Sequence, residues 1–234
     1  MIKNILITGI PKSGKSTILR NIISNEENKV GFVTNEILKD GERIGFELES
    51  YDGKKNILSH VDFKTDVKVS KYFVDLEKVV EILPLVEKYE DCDLLYIDEV
   101  GQMQLYSDEF KLLVQKFLDS NNICIMTLSK VFLSDFIEEI KTRDDVILVD
   151  INEKNRSGAE NFVKLLLSKI RKAIRYSSDK DRFSIDSDLV TVRTDHGVRL
   201  LKKVDNKWNC SCDFFYDNGI CSHLIALDEY FRKI

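Results

Sequence analysis

The sequence has no long hydrophobic run. Nothing in it approaches the roughly 18 continuous apolar residues of a membrane span. The opening MIKNILITG has one early lysine and an apolar stretch too short for a secretory leader, with no small-residue cleavage site. It reads as a strand, which places the protein in the cytoplasm. An excess of positive charge is also missing. Against 40 Asp and Glu stand 35 Lys and Arg, for a net charge of -5, so the molecule as a whole is not an electrostatic nucleic-acid binder. Internal repeats and long low-complexity segments are absent. Histidine is scarce, at three residues. The five cysteines of a cytoplasmic chain do not make a disulfide framework. Cys92 and Cys124 lie beside or inside apolar strand-like runs and read as small buried hydrophobes. The other three are clustered near the end of the chain.

With 234 residues, 43% hydrophobic and 32% charged, the chain suffices for one sizeable core and a small appendage. Short apolar runs alternate with helix-period segments. KNILITG, DLLYIDEVG, NICIMTLS and DVILVDI read as four buried strands. KSTILRNIIS, DLEKVVEILPLVEKY, DEFKLLVQKFLDS, FLSDFIEEIKTR and GAENFVKLLLSKIRKAIRY read as helices. That alternation implies parallel βαβ units. KVGFVTNEIL and RIGFELESY, joined by KDGE, read as an antiparallel hairpin, and YDGKK offers a second turn and a third strand. Past residue 172 the long helix ends, and polar residues to 185 read as a linker. Residues 186–234 then read as a separate ββα unit, too small to hold together without a staple.

Residues 9–16, GIPKSGKS, fit G-x-x-x-x-G-K-[ST] in full, between a strand and a helix. Such a loop wraps phosphate in backbone N–H groups, and the following helix points its positive end at the anion. Gly9, Ile10, Pro11, Lys12, Ser13, Gly14, Lys15, Ser16 and Thr17 are therefore the nucleotide-binding candidates. Lys15 reaches the β- and γ-phosphates, and the Ser16 hydroxyl ligates Mg²⁺. In LLYIDEVG, Asp98 ends a buried strand and takes the second Mg²⁺ position. Glu99 follows it directly and is placed to orient and deprotonate an attacking water. The other reading of Glu99 is a carboxylate that only pairs with a nearby cation.

GIPKSGKST, GFVTNEILKDGERIGFEL, KYFVDLE, DEVGQMQLYSDEF and NEKNR, in that order, resemble the small nucleoside-triphosphatases of the cancer-related or thermophile type. The resemblance covers about residues 1–170. It implies a RecA-like P-loop fold, with a mostly parallel sheet plus an antiparallel hairpin. It also implies slow Mg²⁺-dependent hydrolysis of ATP, GTP and other nucleoside triphosphates to diphosphate and phosphate. By position it carries over Thr34, Glu36, Asp98, Glu99, Gly101, Asn155 and Arg156 as residues around the nucleotide. Arg156 could neutralise charge on the γ-phosphate, or be a surface residue at a helix entry. Arg43 in the hairpin reads as a solvated turn charge. Three positions depart from the family: Lys12 stands where a glycine is common, and Gln102 and Gln104 stand where GKMEL has lysine and glutamate. Two other functions stay open: a nucleotide-gated DNA- or protein-binding module with negligible turnover, and a nucleoside or nucleotide kinase. The latter lacks a clear arginine-rich lid.

Cys210-x-Cys212 and Cys221-x-His223, eight residues apart, supply four soft donors suited to tetrahedral Zn²⁺. With no donor missing, the site is closed and structural. DFFYDNGI reads as the chain reversal between the pairs. The spacing and Trp208 resemble a SWIM zinc finger over about residues 186–231, a module associated with DNA or protein contacts. From residue 172 onward, 11 basic and 10 acidic residues nearly cancel. Zn²⁺ on three thiolates leaves the unit close to neutral, a poor footprint for nucleic acid. A local strip of Arg193, Arg199, Lys202, Lys203 and Lys207 keeps both partner classes open.

Overall fold

The computed structural model describes residues 1–86 and 89–233. The described chain divides into two compact units. One is Lys3–Glu160, and the other is Asn161–Ile234 with Met1 and Ile2.

The first unit is built on a nine-stranded sheet. Its strands are β1 (Asn4–Gly9), β2 (Lys29–Lys39), β3 (Glu42–Ser50), β4 (Lys55–His60), β5 (Val67–Val69), β6 (Tyr72–Val74), β7 (Leu94–Val100), β8 (Ile123–Ser129) and β9 (Val146–Ile151). Their order is β5-β6-β4-β3-β2-β7-β8-β1-β9. The pairs β2–β7, β7–β8, β8–β1 and β1–β9 are parallel. The four strands expected as the parallel core are there, and β2 is a fifth. It pairs parallel with β7 up to Val33, opposite Asp98, and antiparallel with β3 from Phe32 onward. The hairpin thus runs on past the last β2–β7 pair. Its turn has Asp40 at φ 51° and Gly41 at φ 80°, as a two-residue hairpin loop requires.

The meander extends further than its sequence signals. β4 continues through β6 and β5, two strands of three residues each, too short to show a period. Helices α1 (Lys15–Ile23), α2 (Leu76–Val86), α3 (Asp108–Asp119) and α4 (Asp135–Lys141) cover the sheet. The helix expected over DLEKVVEILPLVEKY reaches Val86 with Pro84 inside it, and residues 87–88 of that expectation lie outside the described residues. Phe32, Leu6, Met126, Phe110, Phe117 and Ile137 belong to one fully buried core that joins the sheet to α2, α3 and α4. At the start of β1, Asp145 holds Arg143 through two hydrogen bonds of 2.8 Å, with Lys3 and Asn4 beside it.

Helix α5 (Arg156–Ser177) begins in the first unit and continues unbroken into the second. There it is joined by β10 (Phe183–Asp186), β11 (Leu189–Thr194), β12 (Gly197–Val204) and β13 (Lys207–Cys210), an antiparallel sheet in chain order. Residues 186–234, expected as a ββα unit, hold three whole strands, β11, β12 and β13, and two helices. The polar residues read as linker hold the end of α5, a 3₁₀ turn and β10. Within β10 only Phe183 and Ile185 are apolar, so it carries little sequence signal. DFFYDNGI is a short helix, α6 (Asp213–Asn218), ended by Gly219 at φ 69°. Helix α7 (Ser222–Arg232) follows. Val190, Val192, Leu201, Ile225, Ala226 and Leu227 are all buried to within 2%.

Candidate nucleotide and metal sites

The phosphate loop bridges β1 and α1, and Gly14 opens the helix at φ 103°. Lys15 is only 6% exposed and aims back into the loop. Its Nζ donates to the Gly9 carbonyl at 3.0 Å and the Ile10 carbonyl at 3.4 Å. These bonds pre-place the ammonium inside the cradle formed by the first-turn N–H groups, which have no helical acceptor. Gly9 is required by packing. A Cβ there would sit 2.6 Å from Ser13 Oγ and 2.7 Å from the Ile151 carbonyl. Lys12 takes φ 65°, a conformation that costs an L-residue about 1 kcal/mol and glycine nothing. This is the physical content of its departure from the family pattern.

Ser16 Oγ donates to Asp98 Oδ1 at 2.8 Å, and Thr127 Oγ1 donates to the same oxygen at 2.7 Å. Arg20, one helical turn after Ser16, reaches Asp98 Oδ2 at 3.5 Å. Asp98 is 1% exposed. Glu99 Oε2 lies 3.8 Å from Lys15 Nζ. Burial raises the Glu99 pKa above its ordinary value, opposed by the Lys15 charge and helped by Asp98. A raised carboxylate is a stronger proton acceptor. Arg156, at the start of α5, places its Nε 3.4 Å from where a Gly14 Cβ would stand. The candidates Lys15, Ser16, Asp98, Glu99 and Arg156 therefore converge on one end of the sheet. Asn155 serves the loop itself: its Nδ2 donates to the Asp150 carbonyl at 2.7 Å, and its Oδ1 accepts from the Asn152 N–H at 2.9 Å.

Two residues without a role in the sequence, Thr127 and Arg20, join this end, as does Gln104, noted there only as a departure from the family pattern. Thr127 is marked only by lying at the end of β8, beside β7. Arg20 is marked by its i+4 spacing from Ser16. Gln104, 4% exposed, donates through Nε2 to Thr34 Oγ1 at 3.0 Å. Arg43 is not a free turn charge. It pairs with Glu36, donates to the Tyr72 hydroxyl at 2.9 Å and stacks 4.9 Å from the Phe46 ring centre.

In the second unit, Cys210, Cys212, Cys221 and His223 present ligand atoms all within 4.8 Å of one another. Cys210 Sγ and His223 Nδ1 are 3.5 Å apart. Ligands about 2.3 Å from a tetrahedral zinc stand roughly 3.8 Å from each other, so the donor set fits Zn²⁺ in both type and spacing. The hydrogen bond with Cys221, and then His223, pull Cys210 down to about 4 against its burial. The same bond and burial push Cys221 up. Tyr176 is fully buried and stacks on His223 at 6.1 Å, while Arg182 lies 4.7 Å from its ring. Its hydroxyl accepts from the Asp195 N–H at 3.2 Å. His223 is thereby held from behind as well as by its helix.

A complete phosphate loop between a parallel strand and a helix, with an acid at the end of a nearby strand, defines the class: a P-loop nucleotide-binding protein. Residues 4–164 match the NTPase family, and residues 189–227 match the SWIM zinc finger. The chain belongs to this NTPase family and carries a SWIM zinc finger after it. Nucleoside-triphosphatase THEP1 of Thermotoga sp. (strain RQ2) is 39% identical over 166 residues, which cover 70% of this chain and 94% of that protein. The THEP1 of Methanosarcina barkeri is 34% identical over 161 residues, 66% of this chain and 91% of its own. The crystal structure of THEP1 from Aquifex aeolicus matches with a TM-score of 0.62 at 27% identity, over 70% of this chain and 98% of that one. The solution structure of a human cancer-related nucleoside triphosphatase matches at 0.60 and 28%, over 71% and 98%. Among the described residues, no helix is long and apolar enough to cross a membrane.

Proposed function

We propose that the protein is a cytoplasmic Mg²⁺-dependent nucleoside-triphosphatase that cleaves ATP, GTP and related triphosphates with water, giving the diphosphate and inorganic phosphate. The observation that carries this reading is a double pairing between the phosphate loop and the end of β7: Lys15 with Glu99 at 3.8 Å and Ser16 with Asp98 at 2.8 Å. The loop amides of residues 9–17 and the Lys15 ammonium bind the phosphates. Ser16 and Asp98, already hydrogen-bonded, would hold Mg²⁺, which supplies charge neutralisation on the phosphate oxygens when bound. Glu99 orients a water against the terminal phosphorus and takes its proton as the P–O bond to the leaving diphosphate breaks. Arg156, beside Gly14, lies where its guanidinium can take up negative charge from the phosphates. Lys15 and Glu99 hold each other in place until substrate enters between them. The four zinc ligands staple the second unit, which offers a surface to a DNA or protein partner.

Phosphate release from ATP, GTP, CTP and UTP tests this. Lys15→Ala is expected to abolish binding. Glu99→Gln is expected to keep binding and lower turnover by about 100-fold or more. Unchanged turnover in both variants sinks the proposal. The left-handed Lys12 favours one second reading, a nucleotide-gated binding module with negligible turnover. It is separated by phosphate release from the unaltered protein.

A further inference from the structure

Beyond Val33, opposite Asp98, β2 no longer pairs with β7. Thr34 is the first residue past that point, and two side chains from other elements hold it. Arg20 of α1 donates to its carbonyl at 3.0 Å. Gln104, from the 3₁₀ turn after β7, donates through Nε2 to its hydroxyl oxygen at 3.0 Å. Gln104 is buried, and its other amide atom has a definite place. A Cβ on Gly101 would lie 3.3 Å from Gln104 Oε1 and 3.0 Å from Glu99 Oε1. Glycine thus leaves a notch into which the ends of Glu99 and Gln104 both fit. On one side of that notch Glu99 reaches the Lys15 ammonium at 3.8 Å, and on the other Gln104 holds Thr34.

The direction of the Gln104 bond has a chemical consequence. A threonine hydroxyl has one hydrogen to give and lone pairs to accept with. Because the Gln104 amide donates to Thr34 Oγ1, the Thr34 hydrogen is not used there. A carboxylate at 104 can only accept, and would consume that hydrogen. The amide therefore fixes Thr34 as a donor.

We propose that Thr34, which the resemblance sets only somewhere around the nucleotide, is a hydrogen-bond donor to an anionic oxygen of the terminal phosphoryl group, and that Gln104 is the positioning residue that sets its polarity. This rests on the hydrolytic reading above. A donor aimed at oxygens where charge gathers during transfer acts on turnover more than on ground-state affinity.

The test uses the full zinc-loaded chain, with steady-state phosphate release, nucleoside-diphosphate affinity and the thermal midpoint measured on each variant. Thr34→Val, isosteric without the hydrogen, is expected to lower kcat by about tenfold or more. KM should change less than about threefold, and diphosphate affinity should hold, since a diphosphate lacks the phosphoryl group in question. Thr34→Ser should restore kcat to within about threefold of the unaltered protein. Gln104→Met should lower kcat several-fold alone and add nothing in the Thr34→Val background, because both changes remove one effect. If Thr34→Val does not fold, Thr34→Ala provides the same comparison with no added methyl. The inference is overturned by a Thr34→Val or Thr34→Ala kcat within about twofold of the unaltered protein, or by a double variant whose loss is the product of the single ones. An inactive unaltered protein would instead overturn the hydrolytic reading, so the two failures are distinct.

Discussion

Gly9 carries two jobs in one position: it ends β1, and it leaves room for Ser13 and the Ile151 carbonyl. One of the two crowding atoms is backbone, so the loop has no inexpensive way to yield. Gly9→Ala is expected to weaken nucleotide binding by about tenfold or more while the sheet persists, as isothermal titration beside circular dichroism would show. Far from that loop, Asp145 illustrates a residue with a purely structural duty. Burial opposes its ionisation, but the Arg143 hydrogen bonds and charge, Lys3 and Asn4 together hold its carboxyl below the ordinary value. Asp119 shares Arg143. A depressed carboxylate contributes stability that is present above its unfolded pKa and lost as pH falls through the folded one. Asp145→Asn should therefore cost about 2 kcal/mol in urea unfolding at pH 7. That difference should shrink below about pH 4, where the unaltered protein loses the charge as well. A difference that grows with acid would contradict the assignment.

At the scale of elements, Arg43 pins the hairpin of β2 and β3 to the rest of the meander. It ties Glu36 on β2 to Tyr72 on β6 and lies over Phe46 of β3. Arg43→Met should lower stability by about 1 kcal/mol and speed amide exchange at the hairpin tip more than in β7 or β8. The sequence showed the hairpin through Asp40-Gly41, and showed β1, β7, β8 and β9 through their unbroken apolar runs. It showed the phosphate loop and the zinc donors through spacing alone, because those sites are built from short contiguous segments. Other features were hidden for definite reasons. β5 and β6 are too short to alternate, and β10 lies in a stretch dominated by Asp and Ser. Arg43 looked solvated because Tyr72, which accepts its hydrogen bond, comes from β6, a strand brought beside it only by the meander. Thr34 and Gln104 are 70 residues apart. Nothing in local pattern links them.

The molecule as a whole joins two units, each with its own buried core: a sheet that presents nucleotide chemistry, and a sheet and helices closed around four zinc donors. A unit as small as the second depends on its metal. One zinc per chain is expected, and Cys212→Ser should lower that content. Removing zinc with a chelator should abolish the ordered amide signals of residues 183–233 and leave those of β1, β7 and β8 in place. Loss of both sets together would show that the metal supports the whole molecule. The proposed role of Glu99, set against Lys15 at the end of β7, is to activate the water that cleaves a nucleoside triphosphate. The most direct measurement is phosphate release from ATP in Mg²⁺ by the unaltered protein and by Glu99→Gln, with nucleotide affinity measured on both. Turnover is expected in the first, a loss of about 100-fold or more in the second, and affinities that agree within a few-fold. Equal turnover in the two proteins would contradict it.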